Sequence, residues 1–199
     1  MPELPEVETV RRGLEPVLVG NAFACVEQRR PDLRFPLPER FGERLKGRTI
    51  EGLDRRAKYL LARLDDGEVL IMHLGMTGRF AIDKANGTKS APGDFVHGQS
   101  PAVEFGFPKH EHIVFHMGDG SAVRYSDVRR FGIMDLAPAA GLNDHALFKG
   151  LGIEPLGGDL TPDWLARTLK GKTTPIKAAL LDQRLIAGLG NIYVCEALH

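Results

Sequence analysis

Apolar residues recur at Val7, Val10, Leu14 and Val17, the spacing of a helix that buries one stripe. Pro5, Glu6 and Glu8 stand at its start. Pro loses nothing at the first helical position, and carboxylates suit the positive end of the helix. Pro16 and Gly20 punctuate the chain, and the pattern then shortens. AFACVEQ, RTIEGLD, YLLARL, EVLIMHL and GRFAI are bounded by turn residues and read as strands, with Asp66-Gly67 closing a hairpin. HIVFHM, the turn GDG and SAVRYSD form a second hairpin, and FGIMDL adds one more strand. Between these sets, residues 83–109 are rich in Gly, Pro and polar side chains and read as a long, mobile surface loop. The first half is therefore a β-rich layered structure carrying one N-terminal helix.

From about Ala137 the pattern changes again. APAAGLND and GIEPLGGDLTP read as linker and loop. Thr161 is placed to cap a helix running through DWLARTLKG, with Pro162 at its first position. PIKAALLDQ is a second short helix, the two glycines of LIAGLGN break it, and IYVCEALH begins a third. A helix of that length is too short to be stable without partners. No internal repeat is present.

A chain of 199 residues holds one large domain or two small ones. No run of about 18 apolar residues exists to span a membrane, and no secretory signal is visible. Cys25 and Cys195 lie far apart and form no CxxC pair, which points to a reducing, cytoplasmic setting. Lys plus Arg equals Asp plus Glu at 26 each, so a nucleic-acid partner must be held by local clusters. Candidates are Arg29-Arg30, Arg55-Arg56 with Lys58, Arg129-Arg130, and Lys170 with Lys172 and Lys177. Any one of these alone reads better as solvated surface charge.

The start Met-Pro-Glu carries candidate chemistry. An initiator Met before a small residue is normally removed, which leaves Pro2 as a free secondary amine. An α-amino group titrates near 7.7–8.0, so roughly 10% is unprotonated at pH 7, against about 0.04% for an ordinary Lys. Such amines attack carbonyl-like carbons and form Schiff bases. Glu3 beside it is able to donate or relay a proton. His110, His112 and His116 could suggest a metal site, but their period of two suits a strand face better, and no metal site is expected.

PELPEVETVRRGLEP resembles the N-terminus of the formamidopyrimidine-DNA glycosylases, bacterial base-excision-repair enzymes for oxidised purines. RRAKYLL, HLGMTGRF, KHEHIVF, RYSDVRRFG, LGIEPLG and RLIAGLGNIYVCEAL resemble the same family in the same order. The weak stretch is residues 83–109, longer than is usual there. The resemblance implies an α+β fold: an N-terminal β-sandwich with a flanking N-terminal helix (1–136), a linker (137–160), and a truncated helical helix–two-turns–helix domain (161–199). It implies that Pro2 is the nucleophile that attacks C1′ of the damaged nucleoside. Glu3 is then the general acid for sugar-ring opening, and Lys58 a phosphate contact and proton donor in strand cleavage. Met76, Arg129 and Phe131 match the side chains that fill the gap left by an everted base. His73, His110, Arg129, Lys172 and Asn191 match DNA contacts, Asn191 at a helix start where amides can hold a phosphate.

The implied activity is that of a bifunctional glycosylase and AP lyase, acting as a monomer on duplex DNA with oxidised purines or abasic sites, within the bacterial nucleoid. Alternatives are an endonuclease VIII-type enzyme for oxidised pyrimidines and a catalytically idle damaged-DNA-binding protein. PELPE rather than a PEGPE start, with the Met76–Arg129–Phe131 set intact, favours the purine enzyme. Full-length family members carry one structural zinc in a ribbon with two CxxC pairs. This chain has no CxxC and is expected to bind no cofactor, and it also lacks the region of the family's lesion-recognition loop.

Overall fold

The computed structural model of the chain describes residues 2–93 and 108–199. Helix α1 (Leu4–Leu18) buries Leu4, Val7, Val10, Leu14, Val17 and Leu18, the stripe expected from the spacing plus one residue at each end. Its cap is Glu3, so Pro5 falls at the second helical position rather than the first. Strand β1 (Phe23–Gln28) follows, and then α2 (Phe41–Leu45), which its pattern did not announce. This single turn is entered through Arg40 in the left-handed conformation, with no capping side chain. It forms because Phe41 and Leu45 bury completely.

Strands β2 (Ile50–Arg56), β3 (Tyr59–Leu64), β4 (Glu68–His73) and β5 (Gly78–Asp83) occupy four of the expected runs. The region read as an open loop contains a two-residue strand, β6 (Lys89–Ser90), paired to β5. Pro92 beyond it reaches α1, where a Cβ on Gly13 would lie 2.5 Å from the Pro92 Cβ. The remainder of that loop, 94–107, lies outside the described residues. After a single 3-10 turn, β7 (Glu111–Met117), β8 (Ala122–Asp127) and β9 (Ile133–Pro138) complete the strands.

All pairings between strands are antiparallel, in two sheets ordered β1-β7-β8-β5-β6 and β2-β3-β4-β9. The sheets share a core that includes Phe23, Phe80, Phe115 and Tyr125 from the first and Leu60, Leu70, Met72 and Met134 from the second. Helix α1 packs against β2 and β3.

YLLARL and EVLIMH are nearly continuous apolar runs because both faces of the second sheet are covered. Leu61, Val69, Ile71 and Ala137 point away from the shared core into a second cluster, with Phe148, Leu142, Leu147 and Leu151. The segment after β9 is thus bound to the sheet. It continues through a single parallel bridge, Ile153 to Ile186.

The helical part is α3 (Pro162–Leu169), α4 (Ile176–Leu181) and α5 (Asn191–Leu198). Thr161 caps α3, its Oγ1 accepting the Trp164 N–H at 3.1 Å. No helix among the described residues is long and apolar enough to cross a membrane.

Candidate active site

Glu3 joins the first residues of the chain to the last helix. Its carboxylate accepts the backbone N–H of Ile192 at 2.9 Å and of Tyr193 at 3.2 Å, both in the first turn of α5. Only 2% of it is exposed. A buried carboxylate needs such donors, and the positive helix end adds to them. The Glu3 N–H donates to Glu6 at 2.9 Å, and Tyr193 O–H donates to Glu6 on its other oxygen. The glycines of LIAGLGN allow this approach. A Cβ on Gly190 would lie 2.3 Å from the Glu3 carboxyl carbon, and one on Gly188 would lie 2.8 Å from Leu4 Cδ1.

Pro2 lines a cavity of about 250 Å³ together with Glu6, Leu74, Met76 and Arg79. A second cavity of about 360 Å³ is walled by Lys58, Tyr59, His73, Gly190 and Asn191. Glu3 lies directly behind Gly190 and thus beside the second cavity, one residue from Pro2 on the first. Five of the expected residues (Pro2, Glu3, Lys58, His73 and Asn191) are therefore brought together.

Lys58 is largely buried. Desolvation lowers its pKa, while the charges of Glu3 and Glu6 pull the other way. It follows Ala57, which takes a positive φ of 51°. Glu154 holds that turn: it accepts the Ala57 N–H at 2.6 Å, Arg56 Nη1 at 2.7 Å and Arg55 Nη1 at 2.9 Å. Arg55 and Arg56 are thus engaged in tying the sandwich to the helical part. Glu154 sits in GIEPLGG, a stretch its composition marks only as loop, and a contact across 97 residues of sequence has no local signature.

His73 is held neutral, its pKa lowered to about 4 by burial and by the nearby charges of Lys58 and Arg34. Its Nδ1 accepts the Gly75 N–H at 3.0 Å. That places the remaining proton on Nε2, a donor. The ring packs against Tyr59, centroids 4.7 Å apart.

Met76 and Phe131 are exposed at 39% and 41%, unusual for side chains of their type next to a packed core. The Arg129 guanidinium lies over the Phe131 ring, 4.6 Å from its centroid. The two loops that carry these three residues touch: a Cβ on Gly75 would lie 2.4 Å from the Phe131 carbonyl carbon.

The other expected residues are less closely assembled. His110 ends the 3-10 turn before β7, and Lys172 is exposed between α3 and α4. The first turn of α5 spends the Ile192 and Tyr193 amides on Glu3, so a phosphate there would rely on the exposed Asn191 side chain. His112 and His116 part company on β7, where a bulge intervenes between Glu111 and Ile113. His112 is buried against the Asp127 carbonyl at 2.8 Å, and His116 meets Glu27 at 2.7 Å.

The donors for a structural zinc are not assembled among the described residues. Cys25 on β1 and Cys195 on α5 are exposed, and no three His, Cys, Asp or Glu side chains converge. A structural zinc site needs four such ligands.

The formamidopyrimidine-DNA glycosylase N-terminal domain matches residues 1–134, and the H2TH domain of the same proteins matches 151–199. The chain belongs to the formamidopyrimidine-DNA glycosylase family. The family's curated protein from Methylobacterium nodulans is 61% identical over 199 residues, all of this chain and 66% of that protein. The chain therefore spans just under two thirds of the length of such relatives.

The family's Lactococcus lactis Fpg protein, solved with DNA containing an abasic site, superposes with a TM-score of 0.80. It is 35% identical, covering 99% of this chain and 67% of that one. A mutant of the same protein, solved with Fapy-dG-containing DNA, gives 0.78 at 35% identity, covering 99% and 66%.

Proposed function

We propose that this chain carries the reacting groups of a base-excision-repair DNA glycosylase with AP lyase activity, acting on duplex DNA that bears oxidised purines such as 8-oxoguanine or formamidopyrimidines. The observation that carries the reading is Glu3. A buried carboxylate is fixed by two helix amides next to an N-terminal proline, on the wall between a cavity flanked by an exposed wedge and one lined by Lys58 and His73. The DNA complexes of the Lactococcus lactis relative support duplex DNA as the partner.

Removal of Met1 makes the Pro2 nitrogen a secondary amine, with a lone pair available near neutral pH. That nitrogen bonds to C1′, and the bond from C1′ to the base breaks with its electron pair going to the base. Glu3 takes up the proton displaced from the Pro2 nitrogen and passes it to the sugar-ring oxygen as the bond from C1′ to that oxygen breaks, which opens the ring and leaves an iminium linking Pro2 to the sugar. The iminium acidifies the 2′ carbon. Loss of a proton there expels the 3′ phosphate, and a second elimination expels the 5′ phosphate. Lys58, its charge weakened by burial, is suited to give up a proton in these eliminations. Neutral His73 offers its Nε2–H to a phosphate. Met76 and Phe131 enter the gap left by the everted base and recover part of the lost stacking, while Arg129 faces the unpaired partner base.

Duplexes carrying 8-oxoguanine and an oxidised pyrimidine, tested side by side, decide the substrate class. Faster excision of 8-oxoguanine is expected. A clear preference for the pyrimidine would favour the endonuclease VIII-type reading, and binding without excision of either would favour a damage-binding protein.

A further inference from the structure

Asp127, the last residue of β8, is fully buried, and its carboxylate receives four donors. Oδ1 accepts the Thr77 hydroxyl and the Arg129 N–H, the latter at 3.3 Å. Oδ2 accepts the Gly132 N–H at 2.8 Å and the Tyr125 hydroxyl at 3.3 Å. Thr77 Oγ1 in turn accepts the Arg129 N–H at 3.1 Å. The Asp127 carbonyl accepts from His112, which fixes the backbone from the other side.

We propose that Asp127 is a positioning residue that locks the Met76 loop and the Arg129–Phe131 loop into one rigid wedge. One of its donors, Thr77, follows Met76. Two more, Arg129 and Gly132, bracket the loop that carries Phe131. Arg130 within that loop takes a positive φ of 57°, a conformation that a non-glycine residue holds only when its surroundings impose it. Two of the four partners, the Arg129 and Gly132 N–H groups, can only donate, and they face different oxygens of Asp127, so both oxygens must accept, as those of a carboxylate do. Asparagine has nearly the same shape but turns its NH2 group toward one of these two backbone N–H donors. The energy of inserting side chains into a base stack is delivered only if those side chains do not yield, and Asp127 supplies that stiffness without touching DNA.

The proposal rests on the wedge reading above, and its test separates the two. Excision of 8-oxoguanine from a duplex is compared with borohydride trapping at a preformed abasic site, where no base remains to be unstacked. In Asp127→Asn, excision should fall by about tenfold or more, as for loss of a hydrogen bond to a buried charge, and trapping should fall severalfold less. Thr77→Val, which leaves the carboxylate in place, should show the same split more weakly, and Thr77→Ser should restore excision. Equal loss of both activities in Thr77→Val, or unchanged excision in both variants, would overturn the proposal. An unsubstituted protein that traps but gains nothing from Met76 or Phe131 would overturn the wedge reading instead.

Discussion

Glu3 is asked to do two things, and they are separable. In its proposed role of moving a proton it would act only on the intact nucleoside, whereas as an anchor it holds the start of α5. Glu3→Gln keeps the size and one acceptor oxygen but turns an amide toward one of the two α5 N–H groups. Base excision should fall by about 10²-fold, the usual contribution of a positioned general acid. Cleavage at preformed abasic sites should fall much less, which a gel assay on the two substrates measures. Equal losses would leave Glu3 an anchor only. His73 illustrates the same economy: burial, Lys58 and Arg34 keep it neutral, so under the proposed function it would meet a phosphate as a dipole while Lys58 would supply the charge.

At the scale of elements, two contacts set how α1 meets its neighbours. Glu8 is partly desolvated, which alone would raise its pKa, yet hydrogen bonds from Arg11, Arg12 and Arg55 outweigh burial and hold it at about 2. Its folded-state pKa is below the ordinary 4.5, so its stabilisation is fully present above pH 4.5 and is lost as pH falls toward 2. Acid titration of folding should show Glu8→Gln less stable than the parent near pH 6, with the difference gone by about pH 2. A constant difference across that window would contradict the pairing. Gly190→Ala puts a methyl within 2.3 Å of the Glu3 carboxyl carbon. It should lower excision nearly as far as Glu3→Gln while barely changing the β-sandwich, seen in near-UV circular dichroism. Full activity in Gly190→Ala would mean that the Glu3–α5 contact is dispensable.

Elements of this kind were legible to different degrees. The stripe of α1, all but one of the strands and the Thr161 cap follow from local spacing and local chemistry. Helix α2 and strand β6 do not, because Phe41–Leu45 and Lys89–Ser90 are too short for a period to show. Pro2, Glu3 and Lys58 were marked by residue type and by family resemblance. Glu154 and Asp127 do not stand out, since a carboxylate defined by donors from distant segments looks like any other acid in the sequence. The glycines of LIAGLGN were visible as a break, but their reason is Glu3, nearly the whole chain away.

On the scale of the whole molecule, the described residues join sandwich and helical part through Glu3 and Glu6 to α5 and through Glu154 to β2 and its turn. The proposed reacting groups all lie along that seam, with the wedge on the sandwich side and Asn191 on the helical side. DNA held there would touch both. Ile176, Ile192 and Leu198 are exposed on α4 and α5. The proposed chemistry is nevertheless local, with the Pro2 nitrogen as the proposed nucleophile. Sodium borohydride reduction of the protein on abasic-site duplex, followed by peptide mapping, tests it directly. With Met1 removed, a covalent adduct should form and map to Pro2, and acylating the amine or retaining Met1 should abolish it. Undiminished trapping by the blocked protein, with the adduct on a lysine, would contradict the account.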